Sequence, residues 1–270
     1  MLVLSKSFFN TLGIMLIGVC WWTGSLASSH AGLVAYESFD SYPDNNPLSG
    51  GSGGIGWSTA WGSVGGTAPT VVGGVAKLAF TDGLIESHIS RSLGTTYGAD
   101  GTTTWVRFNG RYVNNPNFIN PPLLPFGGLR LMNGGSESLQ IGKLSGDTTW
   151  SIGTGSSTTV AVNIDSDIWV RINHLAGNDE VKIWVNPTDI SSESNLNGAT
   201  AVLSNLDISF NGIRLAGHHG GMNFSSHTWS FDNLRVGTSF GAMTAVPEPS
   251  SLLFVGMILA GMGAVRRRAI

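Results

Sequence analysis

Cysteine and charged residues are both scarce in this 270-residue chain. Cys20 is the only cysteine, and it precedes the region that we assign to the folded domain, so that domain can form neither a disulfide nor a thiolate metal site. Charged residues make up only 11% of the chain, with a net charge of −3. Between residues 32 and 245, sixteen Asp or Glu outnumber ten Lys or Arg. Because nucleic-acid phosphates call for a basic patch, we expect no nucleic-acid partner.

Catalytic motifs are also missing from the sequence. There is no P-loop, no dinucleotide fingerprint and no Gly-x-Ser-x-Gly elbow. Glycoside hydrolysis needs two carboxyl groups that flank the scissile bond. Asp165 and Asp167 have a suitable spacing, but NIDSDIW indicates a turn leading into Trp169. His218, His219 and His227 have no acidic partner nearby in sequence. The sequence therefore predicts a protein that is not an enzyme.

Long stretches with a 3.6-residue hydrophobic period are absent as well, and 38 glycines are scattered among Ser, Thr and Asn. Short runs alternate apolar and polar residues instead, a period of two that is typical of antiparallel sheets with one face buried. The runs are residues 75–80, 103–112, 128–133, 138–144, 169–175, 181–186, 212–217 and 229–237. Such a pattern predicts an all-β, antiparallel β-sandwich.

Two finer predictions concern the interior of this sandwich. The turn sequence GNDE at 177–180 predicts a hairpin between the runs 169–175 and 181–186. Several tryptophans occupy strand positions, and we expect them to fill a layer between the two sheets. They are Trp105, Trp150, Trp169, Trp184 and Trp229.

Four segments of the middle region resemble the concanavalin A-like, laminin G-like jelly-roll domains of bacterial surface proteins. In order they are YESFDSYP (36–43), GGIGWSTAW (53–61), VKIWVNP (181–187) and FDNLRVGTSF (231–240). The resemblance implies two antiparallel sheets whose first and last strands lie near each other. It does not imply an activity, because lectins, hydrolases and structural modules share such folds.

The same resemblance implies a candidate calcium site. Related carbohydrate modules tie their first strand to their last through a calcium ion, and Asp40 and Asp232 occupy comparable places here, with Glu37 close by. Carboxylates on neighbouring strands repel each other unless a cation intervenes. The alternative is a pair of exposed or hydrogen-bonded carboxylates without a metal. No other cofactor is expected.

Three aromatic residues are candidates for a sugar-binding surface. Trp57, Trp61 and Tyr97 lie in or near Gly-rich stretches and are our candidate ligand-binding residues. Trp57 and Trp61 also belong to the family motif, so packing at the edge of the sandwich is the alternative interpretation.

The N-terminal residues 1–31 have the features of a secretory signal peptide. Lys6 precedes an apolar run over residues 8–22, and small residues end at Ala27 and Ala31, after either of which cleavage would be suitable. We predict that these residues form a signal helix that directs export of the protein through the Sec translocon. A retained membrane anchor is the alternative, although the run is shorter than the ~20 residues of a spanning helix.

The C-terminal residues 246–270 combine three features in order. Pro247, Glu248 and Pro249 are followed by sixteen uncharged residues over 250–265, and then by Arg266, Arg267 and Arg268. Arginines at the end of a membrane segment stay on the cytoplasmic side. This arrangement resembles the PEP-CTERM sorting signal, whose hydrophobic helix inserts transiently into the membrane and is cleaved by an exosortase. An ordinary tail anchor is the alternative.

Together these patterns predict three regions: a signal peptide (1–31), a jelly-roll β-sandwich (32–245) and a sorting signal (246–270). The predicted protein is exported, passes through an inner-membrane intermediate and reaches the cell surface or extracellular matrix, where the sandwich associates with polysaccharide without catalysis. A calcium-dependent, lectin-like carbohydrate-binding module is the main alternative, and a polysaccharide-active hydrolase is a lesser one.

Overall fold

The computed structural model of the chain describes residues 32–80, 86–113, 126–218 and 227–245. Strands account for almost all of the regular structure in these ranges, together with a 3-10 turn at Glu193–Asn195 and one short helix, α1 (Phe240–Thr244). The strands are β1 (Leu33–Glu37), β2 (Gly62–Gly66), β3 (Thr70–Val72), β4 (Val75–Phe80), β5 (Glu86–Tyr97), β6 (Thr103–Val113), β7 (Phe126–Asn133), β8 (Ser136–Lys143), β9 (Thr149–Ile152), β10 (Ser156–Ala161), β11 (Ser166–Asn173), β12 (Asp179–Val185), β13 (Ala199–Leu206), β14 (Phe210–His218) and β15 (His227–Gly237).

Two antiparallel sheets form a sandwich, as the alternating pattern predicted. The first sheet has the order β13-β12-β11-β6-β15-β4-β3, and β1 also pairs with β15. The second sheet has the order β10-β9-β8-β7-β14-β5-β2. The first and last strands are therefore neighbours, since Leu33 pairs with Gly237 and Glu37 with Leu234.

Each of the eight predicted runs is a strand, and the predicted hairpin is also confirmed. β11 and β12 pair antiparallel from Ile168 opposite Val185 to Asn173 opposite Glu180. At the turn, the Asp179 carboxylate accepts hydrogen bonds from the backbone N–H groups of Leu175 and Ile208, at 2.9 and 3.0 Å. A buried carboxylate thus satisfies one backbone donor beside this turn and one from the loop between β13 and β14.

The main core lies between the sheets and contains two of the five strand tryptophans. Trp150 and Trp229 are fully buried there and meet edge to face at 5.9 Å. Phe108 packs on Trp150 and Phe231 on Trp229, at 6.0 and 5.9 Å. Aromatic contacts of this kind supply large buried areas in a specific geometry.

The prediction that all five strand tryptophans lie between the two sheets is wrong for the other three. Trp105, Trp169 and Trp184 lie on the opposite face of the first sheet, where a second cluster forms against Phe240 and Met243 of α1. Each is at most 3% exposed. The period of two explains this result, because Val106 and Val170 take the core side next to Trp105 and Trp169. The short helix is what covers this outer aromatic patch.

Several predictions fall on residues outside the described ranges. They are the signal helix at 1–31 and the sorting residues Pro247, Glu248, Pro249, Arg266, Arg267 and Arg268. Within the described ranges, no helix has the length and apolar character needed to span a membrane.

Candidate functional site

A groove of about 410 Å³ lies on the outer face of the first sheet, across β6, β11 and β15. Phe108 and Tyr112 of β6 are buried in the core, so Asn109 and Arg111 point away from it. The polar residues that line this outer groove are Asn109, Arg111, Asp165, Ser166, Asp167, Asn186, Ser230 and Asp232.

Strand register arranges these side chains in rows. Asn109 of β6 pairs with Asp167 of β11 on one side and with Asp232 of β15 on the other. In the next row Arg111 pairs with Ser230. An amide therefore stands between two carboxylates, with a guanidinium and a hydroxyl beside them. The floor of the outer groove offers both hydrogen-bond donors and acceptors on rigid strands.

Asp167 is held firmly in place. Arg107 donates to both of its carboxylate oxygens from Nε and Nη2, each at 2.9 Å, and the indole Nε1 of Trp169 donates at 2.9 Å. Arg107 also donates to the carbonyl oxygen of Met243 at 2.8 Å and lies over the Trp169 ring. Bidentate pairing fixes orientation as well as charge. Asp167, which the sequence placed in a turn, is thus a strand residue forming a fixed wall of the groove.

Asp232 stands opposite in a different electrostatic environment. The pKa of its carboxyl is raised to about 6, chiefly because the group is buried. The backbone N–H of Asn233 lowers this pKa, whereas the charge of Asp40 raises it further. Asn233 donates from its backbone N and from Nδ2, at 2.7 and 3.0 Å. The pairing of β15 with β6 shifts register between Asp232 and Arg235, and Asn233 has φ 50°. A local irregularity of the strand therefore shapes this side of the groove.

The rim of the outer groove is more open. Arg111 Nη1 lies 3.3 Å from Asp165 Oδ2, and the two side chains are 41% and 85% exposed. Exposed pairs of this kind contribute little to stability. Arg111 and Asp165 are therefore available to a ligand at little cost in folding free energy.

The two carboxylates of the predicted calcium site are close enough to interact. The charge of Asp40 contributes to the raised pKa of Asp232, and Asp40 itself is exposed beside Gly74. Two carboxylate ligands fit the oxygen preference of calcium but are fewer than the six to eight oxygens it takes. In the described part of the chain, no group of three or more His, Cys, Asp or Glu is arranged to hold a metal. Calcium binding stays a prediction.

Residues 36–43 and 53–61 meet around a buried ion pair between Glu37 and Arg91. Arg91 Nη1 lies 2.6 Å from Glu37 Oε2, and both side chains are at most 3% exposed. Arg91 also donates to the carbonyl oxygens of Thr59 and Gly53, at 2.8 and 2.7 Å. The hydroxyl of Tyr42 donates to Glu37 at 2.8 Å. This clasp, formed by Glu37, Arg91, Tyr42 and Trp61, ties β1 to β5 and to the loop before β2.

Trp61 belongs to this clasp, and Trp57 packs against it. Arg91 lies over both indole rings, at 5.1 and 5.7 Å from their centroids. Trp61 is 1% exposed and donates to Glu37 Oε2 at 3.3 Å, while the half-buried Trp57 donates to the carbonyl oxygen of Tyr36 at 3.1 Å. The packing interpretation therefore describes Trp61 in this structure, because its ring has no open face for a sugar.

Tyr97, the third aromatic candidate, packs elsewhere. It ends β5 and contacts Phe210 of β14, with ring centroids 5.7 Å apart. Burial raises the pKa of its hydroxyl. It is half-buried, whereas Phe210 is fully buried. The structure thus joins Trp57 and Trp61 in one cluster and places Tyr97 in another.

Most of the residues that line the outer groove were not predicted from the sequence as site residues. Asn109 and Arg111 alternate with core residues in a run that was recognised as a strand, so their outward direction could have been inferred. Their alignment with Asp167 and Asp232 could not, because it depends on pairing between strands that lie far apart in sequence.

No protein-family model matches the chain, and no curated protein sequence does. Among solved structures, the chain is similar to a sialidase, with a TM-score of 0.45, 12% identity and coverage of 77% of this chain and 19% of the sialidase. An alginate lyase from Corynebacterium sp. gives a TM-score of 0.41 and 13% identity, with coverage of 60% of this chain and 75% of the lyase. The binding domain of botulinum neurotoxin serotype D gives a TM-score of 0.44 and 10% identity, with coverage of 77% of this chain and 48% of the neurotoxin chain. Similarity at this level supports no inference about activity or ligand.

Proposed function

We propose that this chain is an exported cell-surface or extracellular-matrix protein whose sandwich binds polysaccharide through the outer groove, without catalysis. The observation that supports the proposal is the row Asp167, Asn109 and Asp232 on three adjacent strands. Sugar hydroxyls both donate and accept hydrogen bonds, so they match a floor that alternates acceptors with donors. Because strands position these groups, little side-chain order has to be gained on binding.

The environments of the two carboxylates favour binding over hydrolysis. A general base or nucleophile needs a carboxylate with free lone pairs directed at the reacting atoms. Arg107 and Trp169 already donate three hydrogen bonds to Asp167, which leaves about one of its roughly four acceptor sites for a sugar hydroxyl. Asp232, with a pKa of about 6, has the character of an acid but faces no comparably free carboxylate within the row. The polysaccharide-active hydrolase therefore stays the lesser alternative.

The fold family and the route of export are part of the same proposal. The pairing of β1 with β15 supports a concanavalin A-like, laminin G-like jelly roll, because that resemblance implied adjacent first and last strands. The charge pattern of residues 246–270 supports sorting by an exosortase-type enzyme after Sec export and transient insertion in the inner membrane. Mass spectrometry of the mature surface protein tests the route. A mature form that keeps Arg266, Arg267 and Arg268 contradicts sorting by cleavage.

A calcium-dependent lectin is the second candidate function, and the proximity of Asp40 and Asp232 favours it. A calcium ion between these carboxylates would remove their mutual repulsion and could bring ligand oxygens to the end of the outer groove. Binding would then depend on free calcium.

Glycan-array binding by the purified full chain, with and without EDTA, distinguishes these functions. We expect binding of uncharged polysaccharide fragments that EDTA leaves unchanged and that Asn109→Ala weakens about tenfold, a loss typical of one or two hydrogen bonds. Asn205→Ala, at an exposed position of β13, is the matched control and should bind normally. Binding abolished by EDTA would support the lectin instead. Binding to no glycan, or equal loss in both variants, would contradict the proposal.

A further inference from the structure

A second polar surface lies on the other side of the sandwich, on the outer face of the second sheet. Arg214 of β14 pairs with Arg130 of β7 and with Ser90 of β5, and Arg130 pairs with Gln140 of β8. His88 and His218 lie on the same face, since each is an even number of residues from a paired position on its strand. We call Arg130, Arg214, His88 and His218 the cationic face.

Two guanidinium groups stand side by side here, and two partly exposed carboxylates share the face: Glu137, and Glu86, which lies 3.7 Å from His218 Nε2 and is 47% exposed. Arg130 pairs with Glu137 at 3.0 Å, but that carboxylate is 38% exposed. Arg214 donates from Nε to the hydroxyl of Ser90 at 3.0 Å and has no carboxylate partner among the described residues. Like charges opposite each other on adjacent strands are destabilising. An anion between the two arginines would offset their repulsion.

Two buried side chains on the cationic face also have unsatisfied polar atoms. Arg130 is 9% exposed and His88 is 8% exposed, yet Arg130 Nε and His88 Nε2 have no hydrogen-bond partner within the described ranges. Glu86 is the nearest acid to His88, and its Oε2 lies 3.8 Å from Nδ1, beyond hydrogen-bond distance. Leaving buried polar atoms unpaired is unfavourable. A ligand with acceptor oxygens would satisfy Arg130 Nε, and also His88 Nε2 in the tautomer that carries the proton on that nitrogen.

We propose that the cationic face binds the carboxylate of an acidic polysaccharide, at a site separate from the outer groove. A guanidinium matches a carboxylate in a planar, two-bond geometry. Arg214 is half-buried and the His218 side chain is 24% exposed, so the face can be reached from solvent. One arginine without an acidic partner matches one negative charge, which favours a carboxylate over the dianionic form of phosphate. The proposal goes beyond the proposed function because a neutral glycan does not need this site.

The pKa of His88 responds to the charges on the cationic face. Burial lowers the pKa of His88 to about 4, and the positive charges of Arg130, Arg214 and His218 act in the same direction, against the raising effect of Glu86. A carboxylate bound beside Arg130 would act like a second Glu86 and raise the pKa of His88.

Calorimetric titration of the full chain with oligogalacturonate tests the site. We expect binding that Arg214→Gln weakens at least about tenfold, in line with the loss of a charge-assisted pair. Arg171→Gln removes an arginine from β11 of the first sheet, outside the lining of the outer groove, and is the control, with unchanged affinity expected. Neutral dextran should bind equally well to the wild-type chain and to the Arg214 variant. Unchanged affinity in Arg214→Gln, or equal loss in the Arg171 control, would overturn the proposal.

Two further readouts keep the test independent of folding defects and of the outer groove. In NMR titrations of the wild-type chain, the carboxylated sugar should raise the pKa of His88, and no shift at saturation would sink the idea. Inorganic phosphate is the competing source of an oxyanion, and tighter binding of phosphate than of oligogalacturonate would overturn the choice of carboxylate. Asn109→Ala should leave oligogalacturonate affinity unchanged, so a failed groove and a failed cationic face give different results.

Discussion

Replacing Arg91 by methionine should destabilise the sandwich by about 3 to 5 kcal/mol, the usual effect of removing one partner of a buried ion pair. Glu37 is 0% exposed and its ion-pair distance to Arg91 is 2.6 Å. Without the guanidinium, the carboxylate keeps only neutral donors, chiefly the hydroxyl of Tyr42 and the indole of Trp61. The carbonyl oxygens of Thr59 and Gly53 lose their donor as well.

Urea unfolding followed by tryptophan fluorescence measures this loss directly. For a domain of this size, each 1 kcal/mol shifts Tm by roughly 2 to 4 °C, so a decrease of about 6 to 20 °C should accompany it. Arg111→Met is the matched control. Its partner Asp165 is 85% exposed, and the expected change is within about 0.5 kcal/mol.

A double variant distinguishes the ion pair from general packing. Glu37→Gln with Arg91→Met removes both charges, so it should be less destabilised than the sum of the single variants. Tyr42 gives a second readout, since burial, followed by the hydrogen bond to Glu37 and its charge, raises the pKa of Tyr42 to about 12. Glu37→Gln should lower that pKa in an ultraviolet titration. Strict additivity, or an Arg91→Met effect below about 1 kcal/mol, would refute the reasoning.

Two other predictions concern Asp232 and Gly56. The pKa of Asp232 is raised in the folded chain to about 6, so the folded state disfavours its charged form and stability should fall as pH rises from about 4 to about 6. Asp232→Asn should therefore be more stable than wild type above pH 6 in urea unfolding and equal to it below about pH 4; a gap that widens toward low pH would contradict this. Gly56 has φ +79°, and a Cβ there would overlap the carbonyl oxygen of Val34, so Gly56→Ala should cost more than about 2 kcal/mol. Gly101→Ala, at φ +76° with no atom within 4 Å, is its control and should cost only about 1 kcal/mol; equal losses would show that the close contact is unimportant.

The strands with clean alternation could be predicted from sequence, and the mixed ones could not. β11 and β12 alternate apolar and polar residues and were found with their hairpin. β5 was missed because its sequence ESHISRSLGTTY places His88 and Arg91 at buried positions, where a binary pattern expects apolar residues. Those two residues are buried because they belong to polar networks, the cationic face and the clasp, which depend on contacts from distant segments.

Single residues of the candidate site could be predicted from the sequence, but their grouping in space could not. Asp232 was singled out, and the proximity of Asp40 agrees with the neighbouring strands that the resemblance implied. The tryptophans were assigned to one layer, although the first sheet buries aromatic residues on both faces. A sequence shows that a strand has two faces, but it does not show that a short helix after the last strand will cover the outer face. The cationic face needed the registers of four strands, which no local pattern contains.

The position of β15 bears on how the sandwich would respond to pulling. This last strand lies inside the first sheet, paired with β6 along one side and with β4 and then β1 along the other. Tension on the chain that follows Gly237 would run parallel to the strand and perpendicular to these antiparallel hydrogen bonds. Rupture would then require both ladders to shear together instead of opening one bond at a time, so a domain tethered at this end should resist mechanical extraction.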